Sequence, residues 1–223
     1  MGLISLNKTE KNVIIDQLKI FIMSDPGLGK STFASESKAP YFAECEPGLR
    51  ALDVYKTPIA KWSDFKQLVN EFEKGGHPYK TLVIDSIDAA VGIYSVDACA
   101  AAGAQSIAEI AGGYGKGDKR MYLEFFKVIR QICSMPYGVI FLSHVKEKSN
   151  YKDSGVSKTI PNIPEDVSDF MLAQCDLVLF GEVDRKSKEH VLRTKPGGFH
   201  LAKDRYGFLP DSISFRYSEY RND

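Results

Sequence analysis

The sequence predicts an α/β fold, with a mainly parallel central sheet flanked by helices and a C-terminal antiparallel hairpin extension. Three observations carry that expectation. Apolar runs of strand length (Leu18 to Met23, Thr81 to Ile84, Gly138 to Leu142) alternate with segments of helical character. A Gly-rich turn, Ser24 to Thr32, joins the first run to a helix-compatible stretch reaching Lys38. Near the C-terminus the turn signals Pro196-Gly197-Gly198 and Arg205-Tyr206-Gly207 separate short strand-like runs.

Each element has a local reason. Residues 1–17 form a short leader, polar around Asn7 to Asn12, in which Val13-Ile14-Ile15 is a candidate edge strand; residues 18–223 form one domain. Ala39-Pro40 ends the first helix, because a proline cannot continue it, and a second strand runs Tyr41 to Cys45. Trp62 to Lys74 reads as an amphipathic helix with Ser63 as its cap, Phe65, Leu68, Val69 and Phe72 as its apolar stripe, and Gly75-Gly76 as its stop. An Ala-rich helix follows Thr81 to Ile84 and ends near Ala102; another spans Lys119 to Cys133. Residues 103–118 and 146–164 read as long polar loops, and strands are expected at Leu177 to Val183, His190 to Thr194 and Ile213 to Tyr217.

Lys+Arg and Asp+Glu are both 29, so the whole-molecule field does not draw the chain to nucleic acid and any such contact must use a local patch. The four cysteines form no C-x-x-C pair and the four histidines do not cluster with them, which argues for free thiols and against a structural zinc site. No apolar run approaches membrane-spanning length and no signal peptide is visible, so a soluble, cytoplasmic protein without membrane contact is expected.

The chemistry concentrates in Ser24-Asp25-Pro26-Gly27-Leu28-Gly29-Lys30-Ser31-Thr32. Strand, Gly-rich turn and helix in that order build a phosphate cradle from backbone N–H groups and the positive end of a helix. Lys30 suits the outer phosphates and Ser31 a magnesium ion, which makes ATP and Mg2+ the expected ligands. One position departs from G-x-x-x-x-G-K-[ST]: its first glycine is Ser24. Asp85, at the tip of the strand Thr81 to Ile84, suits the second metal contact; capping the next helix is the structural alternative. Glu44 and Glu46 alternate at the end of the second strand, so period two sends both to one face, where one can activate water or both can lie in a solvated turn. Ser143 and His144 end the strand Gly138 to Leu142 at the same edge, placed for a γ-phosphate contact.

The two long polar segments hold Tyr114, Lys116, Lys119 and Arg120, and Lys146, Lys148, Tyr151, Lys152 and Lys158. Basic residues with an interspersed aromatic suit single-stranded nucleic acid; ordinary solvated loops are the alternative.

Together these residues resemble the RecA-like P-loop ATPase core, most closely the small phage nucleotide-binding (AAA-type) proteins built on little more than that core, some of which are single-strand annealing recombinases. The resemblance runs from about Lys19 to Phe215. It rests on Gly27-Leu28-Gly29-Lys30-Ser31, the Glu44-x-Glu46-Pro-Gly turn, Val83-Ile84-Asp85-Ser86, the stretch 112–117, Ser143-His144, and the run from Lys203 to Pro210. It implies that Glu46 activates the hydrolytic water, that His144 senses the γ-phosphate, and that the two long loops face DNA. It implies also that Lys203 or Arg205 reaches a neighbouring subunit's nucleotide in a ring or filament, an internal salt bridge being the alternative for Arg205. The function it implies is DNA-stimulated ATP hydrolysis in phage recombination, by annealing or strand exchange, with a single-strand binding protein as a partner and the bacterial host cytoplasm as the setting. A P-loop small-molecule kinase and a nucleotide-dependent scaffold with little turnover are the competing classes. The segment between His144 and Pro164 has lysines but no arginine, which speaks against the arginine-rich lid of such kinases.

Overall fold

A computed structural model describes residues 13–110, 121–149 and 157–220. Its principal sheet has six parallel strands side by side, in the order β8 (Leu177–Val183), β1 (Lys19–Ser24), β5 (Gly138–Ser143), β4 (Thr81–Asp85), β2 (Pro40–Glu44) and β3 (Tyr55–Pro58). Beyond β8 the sheet turns antiparallel through β9 (His190–Arg193) and β11 (Ser212–Ser214), and β10 (Lys203–Asp204) also pairs with β8. This is the mainly parallel sheet with an antiparallel extension that the sequence predicts.

Strands β1, β4 and β5 are buried at every position, the consequence of covering both faces of a parallel sheet. Their alternate side chains feed two cores. Phe21, Met23, Leu82, Ile84, Val139 and Phe141 pack with apolar side chains of α2 (Trp62–Lys74), α3 (Ile87–Ala102), α5 (Leu123–Ser134) and α6 (Glu165–Gln174). Ile20, Ile22, Val83, Ile140 and Leu142 pack with Phe33 and Ala34 of α1 (Lys30–Ser35) and with Ile213 and Tyr217 from the C-terminal segment. Register matters most at one edge: Met23 lies beside Ser143, Leu142 beside Asp85, and Asp85 beside Glu44. The C-terminal tips of β1, β5, β4 and β2 therefore finish flush.

Several elements differ from the sequence expectation. Residues 13–15 form no strand; Ile15–Gln17 is a 3-10 turn, and residues 1–12 lie outside the described residues. Helix α2 starts as expected, but Ser63 does not cap it. The Lys61 N–H donates to the Asp64 carboxylate at 3.0 Å and the Trp62 N–H to Asp97 at 2.7 Å, so two aspartates hold that end. The polar segment after His144 is an antiparallel ribbon, β6 (Val145–Ser149) with β7 (Ser157–Pro161), rather than a loop. Of residues 103–118, Ile107–Ile110 form the short helix α4, and 111–120 lie outside the described residues. Strands β3 and β10 and helix α6 were not expected. Strand β3 is a mostly exposed edge and α6 buries only Val167, Ser168 and Met171, so neither carries a clear apolar period. All four cysteines are free thiols, as predicted. Among the described residues no helix is long and apolar enough to cross a membrane.

Candidate phosphate site at the sheet edge

The turn after β1 is shaped by its glycines. Gly27 (φ 82°) and Gly29 (φ 104°) lie in the left-handed region, where side chains are strained, and Gly29 caps α1. The first N–H groups of α1 have no partner inside the helix and face the mouth of the turn.

Lys30 is buried at the base of the cradle. Its Nζ donates to the Ser24 carbonyl at 2.9 Å, the Asp25 carbonyl at 3.1 Å and Ser24 Oγ at 3.2 Å. Burial lowers the Lys30 pKa, and the nearby Asp85 carboxylate is the largest of the influences that oppose it. Ser31 Oγ donates to Asp85 Oδ2 at 2.7 Å, which brings the helix start and the tip of β4 together across 54 residues of sequence. Burial raises the Asp85 pKa against the hydrogen bond from Ser31. A hydroxyl and a carboxylate in contact are the hard oxygen donors that magnesium takes while keeping several waters. The residues present fit that ion, with Ser31 and Asp85 as its holders. Ser86, rather than Asp85, caps α3, accepting from the Ala89 N–H at 3.4 Å. The Asp85–Ser86 peptide bond is cis.

Pro26, Gly27, Gly29, Lys30, Ser31, Thr32, Glu46, Asp85 and His144 line one cleft of about 420 Å³. Glu44 and Glu46 both line a neighbouring cleft with Arg50 and Lys56, as the expected shared face requires, but only Glu46 also lines the phosphate cleft. Strand pairing stops at Glu44, and the N–H groups of Cys45 and Glu46 both point to the Asp85 carbonyl, at 2.7 and 3.4 Å. Glu44 pairs with Lys56 of β3 at 2.7 Å, whereas Glu46 turns into the cleft, with Oε1 3.7 Å from His144 Nδ1. Buried Ser143 spends its hydroxyl on the His144 carbonyl.

Sequence reasoning missed Asp88, which accepts from both the backbone N–H (3.2 Å) and Nδ1 (2.8 Å) of His144. An acid in the first turn of a helix reads as a partner of the helix dipole, so the sequence carried no separate signal for it. Glu46, Asp88 and His144 bring one polar atom each within 4.8 Å of one another. The place of the C-terminal extension at the site was missed too: His190 Nδ1 donates to the Leu28 carbonyl at 3.1 Å, and a second cleft of about 670 Å³ opens beside Gly29 and Thr32, lined also by His190, Phe215, Arg216 and Tyr220.

The remaining predicted site residues lie elsewhere. Lys203 Nζ donates to the Leu172 carbonyl at 2.6 Å, and Arg205 Nη2 to the carbonyls of Ala173 (2.8 Å) and Cys175 (3.2 Å), with its Nε 3.6 Å from Asp176. Both cations are thus engaged at the C-terminal end of α6, where the helix dipole favours them. Lys146, Lys148 and Lys158 are exposed on the β6–β7 ribbon. Tyr114, Lys116, Lys119, Arg120, Tyr151 and Lys152 lie outside the described residues.

A parallel sheet whose first strand ends in a phosphate loop, with an aspartate at the tip of β4, two strands away, meeting the loop's serine, is the architecture of the P-loop NTPase fold. The chain belongs to the AAA_24 family, described as an AAA domain, whose profile matches residues 16–206. It is 26% identical over 200 residues to the SPbeta prophage-derived uncharacterized protein YorG of Bacillus subtilis strain 168, covering 85% of this chain and 60% of that protein's length. Among solved structures it is similar to the flagellar accessory protein FlaH of Methanocaldococcus jannaschii, with a TM-score of 0.50 at 11% identity over 90% of this chain and 85% of the other. The KaiC-like protein PH0186 of Pyrococcus horikoshii overlaps with a TM-score of 0.40 at 12% identity, over 80% and 78% of the two chains.

Proposed function

We propose that this protein binds ATP with Mg2+ and hydrolyses it, and that it acts on single-stranded DNA in phage-type recombination as a homo-oligomer. The contact between Ser31 Oγ and Asp85 Oδ2, beside the buried Lys30, carries the nucleotide part of this reading. The triphosphate lies in the cleft of the phosphate loop, its charge met by Lys30 and by the loop amides. Ser31 and Asp85 would hold magnesium, which would supply charge neutralisation at the outer phosphates. Glu46 orients the attacking water and His144 meets the terminal phosphate. The nucleoside extends past Gly29 and Thr32 into the neighbouring cleft.

The DNA part is supported by the β6–β7 ribbon, which starts directly after His144. There Lys148 lies opposite Lys158, and like charges facing each other across an antiparallel pair disfavour folding. Glu165 offsets Lys148 at 2.8 Å; an anionic strand lying along the ribbon would offset Lys158 as well. The prophage origin of the relative agrees with the phage setting.

The test is ATP hydrolysis with and without single-stranded DNA. Turnover should rise on adding DNA, and DNA affinity should fall steeply with salt. Glu46→Gln should keep ATP binding and lose about a hundredfold or more in turnover. ATP consumption that needs an added metabolite and ignores DNA would replace this reading with a kinase; turnover unaffected by Glu46→Gln would remove Glu46 from its role.

A further inference from the structure

His144 is the last residue before the ribbon, and its ring is held from one side. Asp88, on the first turn of α3, uses a separate carboxylate oxygen for each of two donors on that residue: Oδ1 for the backbone N–H at 3.2 Å and Oδ2 for Nδ1 at 2.8 Å. Glu46 Oε1 lies 3.7 Å from the same Nδ1. An ionised carboxylate only accepts hydrogen bonds, so this contact decides which ring nitrogen carries the hydrogen. Nδ1 is the donor; Nε2 makes no hydrogen bond among the described residues. His144 lines the phosphate cleft, whereas Asp88 does not.

The geometry points to Asp88 as the positioning residue of the site: it fixes the tautomer and the orientation of His144, so that Nε2 is the atom offered to the terminal phosphate and its attacking water. This inference rests on the ATP-hydrolysing reading above. The neutral ring presents an acceptor to water at Nε2; the protonated ring presents a donor to a phosphate oxygen, with its charge balanced by Asp88. Asp88 does not line the phosphate cleft, so its removal should leave nucleotide binding in place and lower the rate. The competing assignment, an acid that only complements the α3 dipole, would leave the imidazole and the rate unmoved.

Two readouts on the full chain test this. The chain has four histidines, so long-range proton–nitrogen correlation on 15N-labelled protein can follow each ring, with His144→Gln assigning the signal. Wild-type His144 is expected as the Nδ1–H form, and Asp88→Asn and Asp88→Ala should shift it toward Nε2–H. In ATP turnover, Asp88→Asn should lower kcat by about tenfold or more while ATP Kd stays within about twofold, and Asp88→Glu should recover part of the loss. The near-isosteric Asn variant guards against misfolding of the Ala variant. An Nε2–H tautomer in the wild type, an unchanged tautomer in both variants, or a shifted tautomer with unchanged kcat would each overturn the inference. If the wild type hydrolyses no ATP, the proposed function fails, while the nitrogen spectra still decide whether Asp88 sets the ring.

Discussion

Ser24 and Gly181 face each other across the β1–β8 pair, and the phosphate loop begins at that contact. A methyl group at Gly181 would lie 2.7 Å from Ser24 Cβ and 2.6 Å from Phe215 Cζ, both inside van der Waals contact. The glycine absent from the first position of the loop motif thus has a counterpart on the neighbouring strand, which leaves room for the serine. Ser24 Oγ then serves as one of the acceptors of the Lys30 ammonium. Gly181→Ala is expected to cost about 1–3 kcal/mol by overpacking and to weaken nucleotide binding through the displaced loop. Adding Ser24→Gly should restore part of the loss, since the Phe215 contact remains. Thermal melts of the two single variants and the double variant measure this; strictly additive effects would mean that the two positions are independent. At this scale the sequence was legible where residue type and spacing bring side chains into one cleft, as for Lys30, Ser31 and Asp85. It was illegible for Asp88, Gly181 and Phe215, whose importance comes from neighbours distant in the chain.

At the scale of elements, the turn between β8 and β9 carries a titratable contribution. Asp184 accepts from the N–H groups of Ser187 and Lys186 and from Arg193, and these bonds lower its pKa to about 2. A depressed folded value means that the stabilisation is complete above the unfolded carboxylate pKa and disappears as the pH falls through the folded one. Asp184→Asn should therefore melt below wild type at pH 7, with the gap closing between about pH 4 and pH 2. A gap that persists unchanged at pH 2 would assign the effect to something other than the charge. The buried parallel strands were readable because covering both faces forces continuous apolar runs. The β6–β7 ribbon and the edge strand β3 were not, because a strand with little core to face has no period to display.

For the whole molecule, the parallel register is what makes a site. Met23 of β1 and Ser143 of β5, 120 positions apart, end flush because Lys19 to Met23 are matched one for one to Val139 to Ser143. The fold class was legible from alternation of strand and helix together with the phosphate-loop motif. The asymmetry of the two faces was not, since it depends on the C-terminal segment returning to pack Tyr217 against Phe33, with ring centroids 5.3 Å apart. That return also brings Phe215 and His190 to the phosphate loop, so the chain's last strands help to shape the cleft opened by its first.

The most direct test of this architecture is calorimetric titration of the protein with a non-hydrolysable ATP analogue and Mg2+, comparing wild type with Lys30→Ala. Saturable binding that weakens at least about tenfold when the ammonium is removed is the predicted result. Equal affinity in the two proteins, or no heat of binding to the wild type at millimolar analogue, would contradict it.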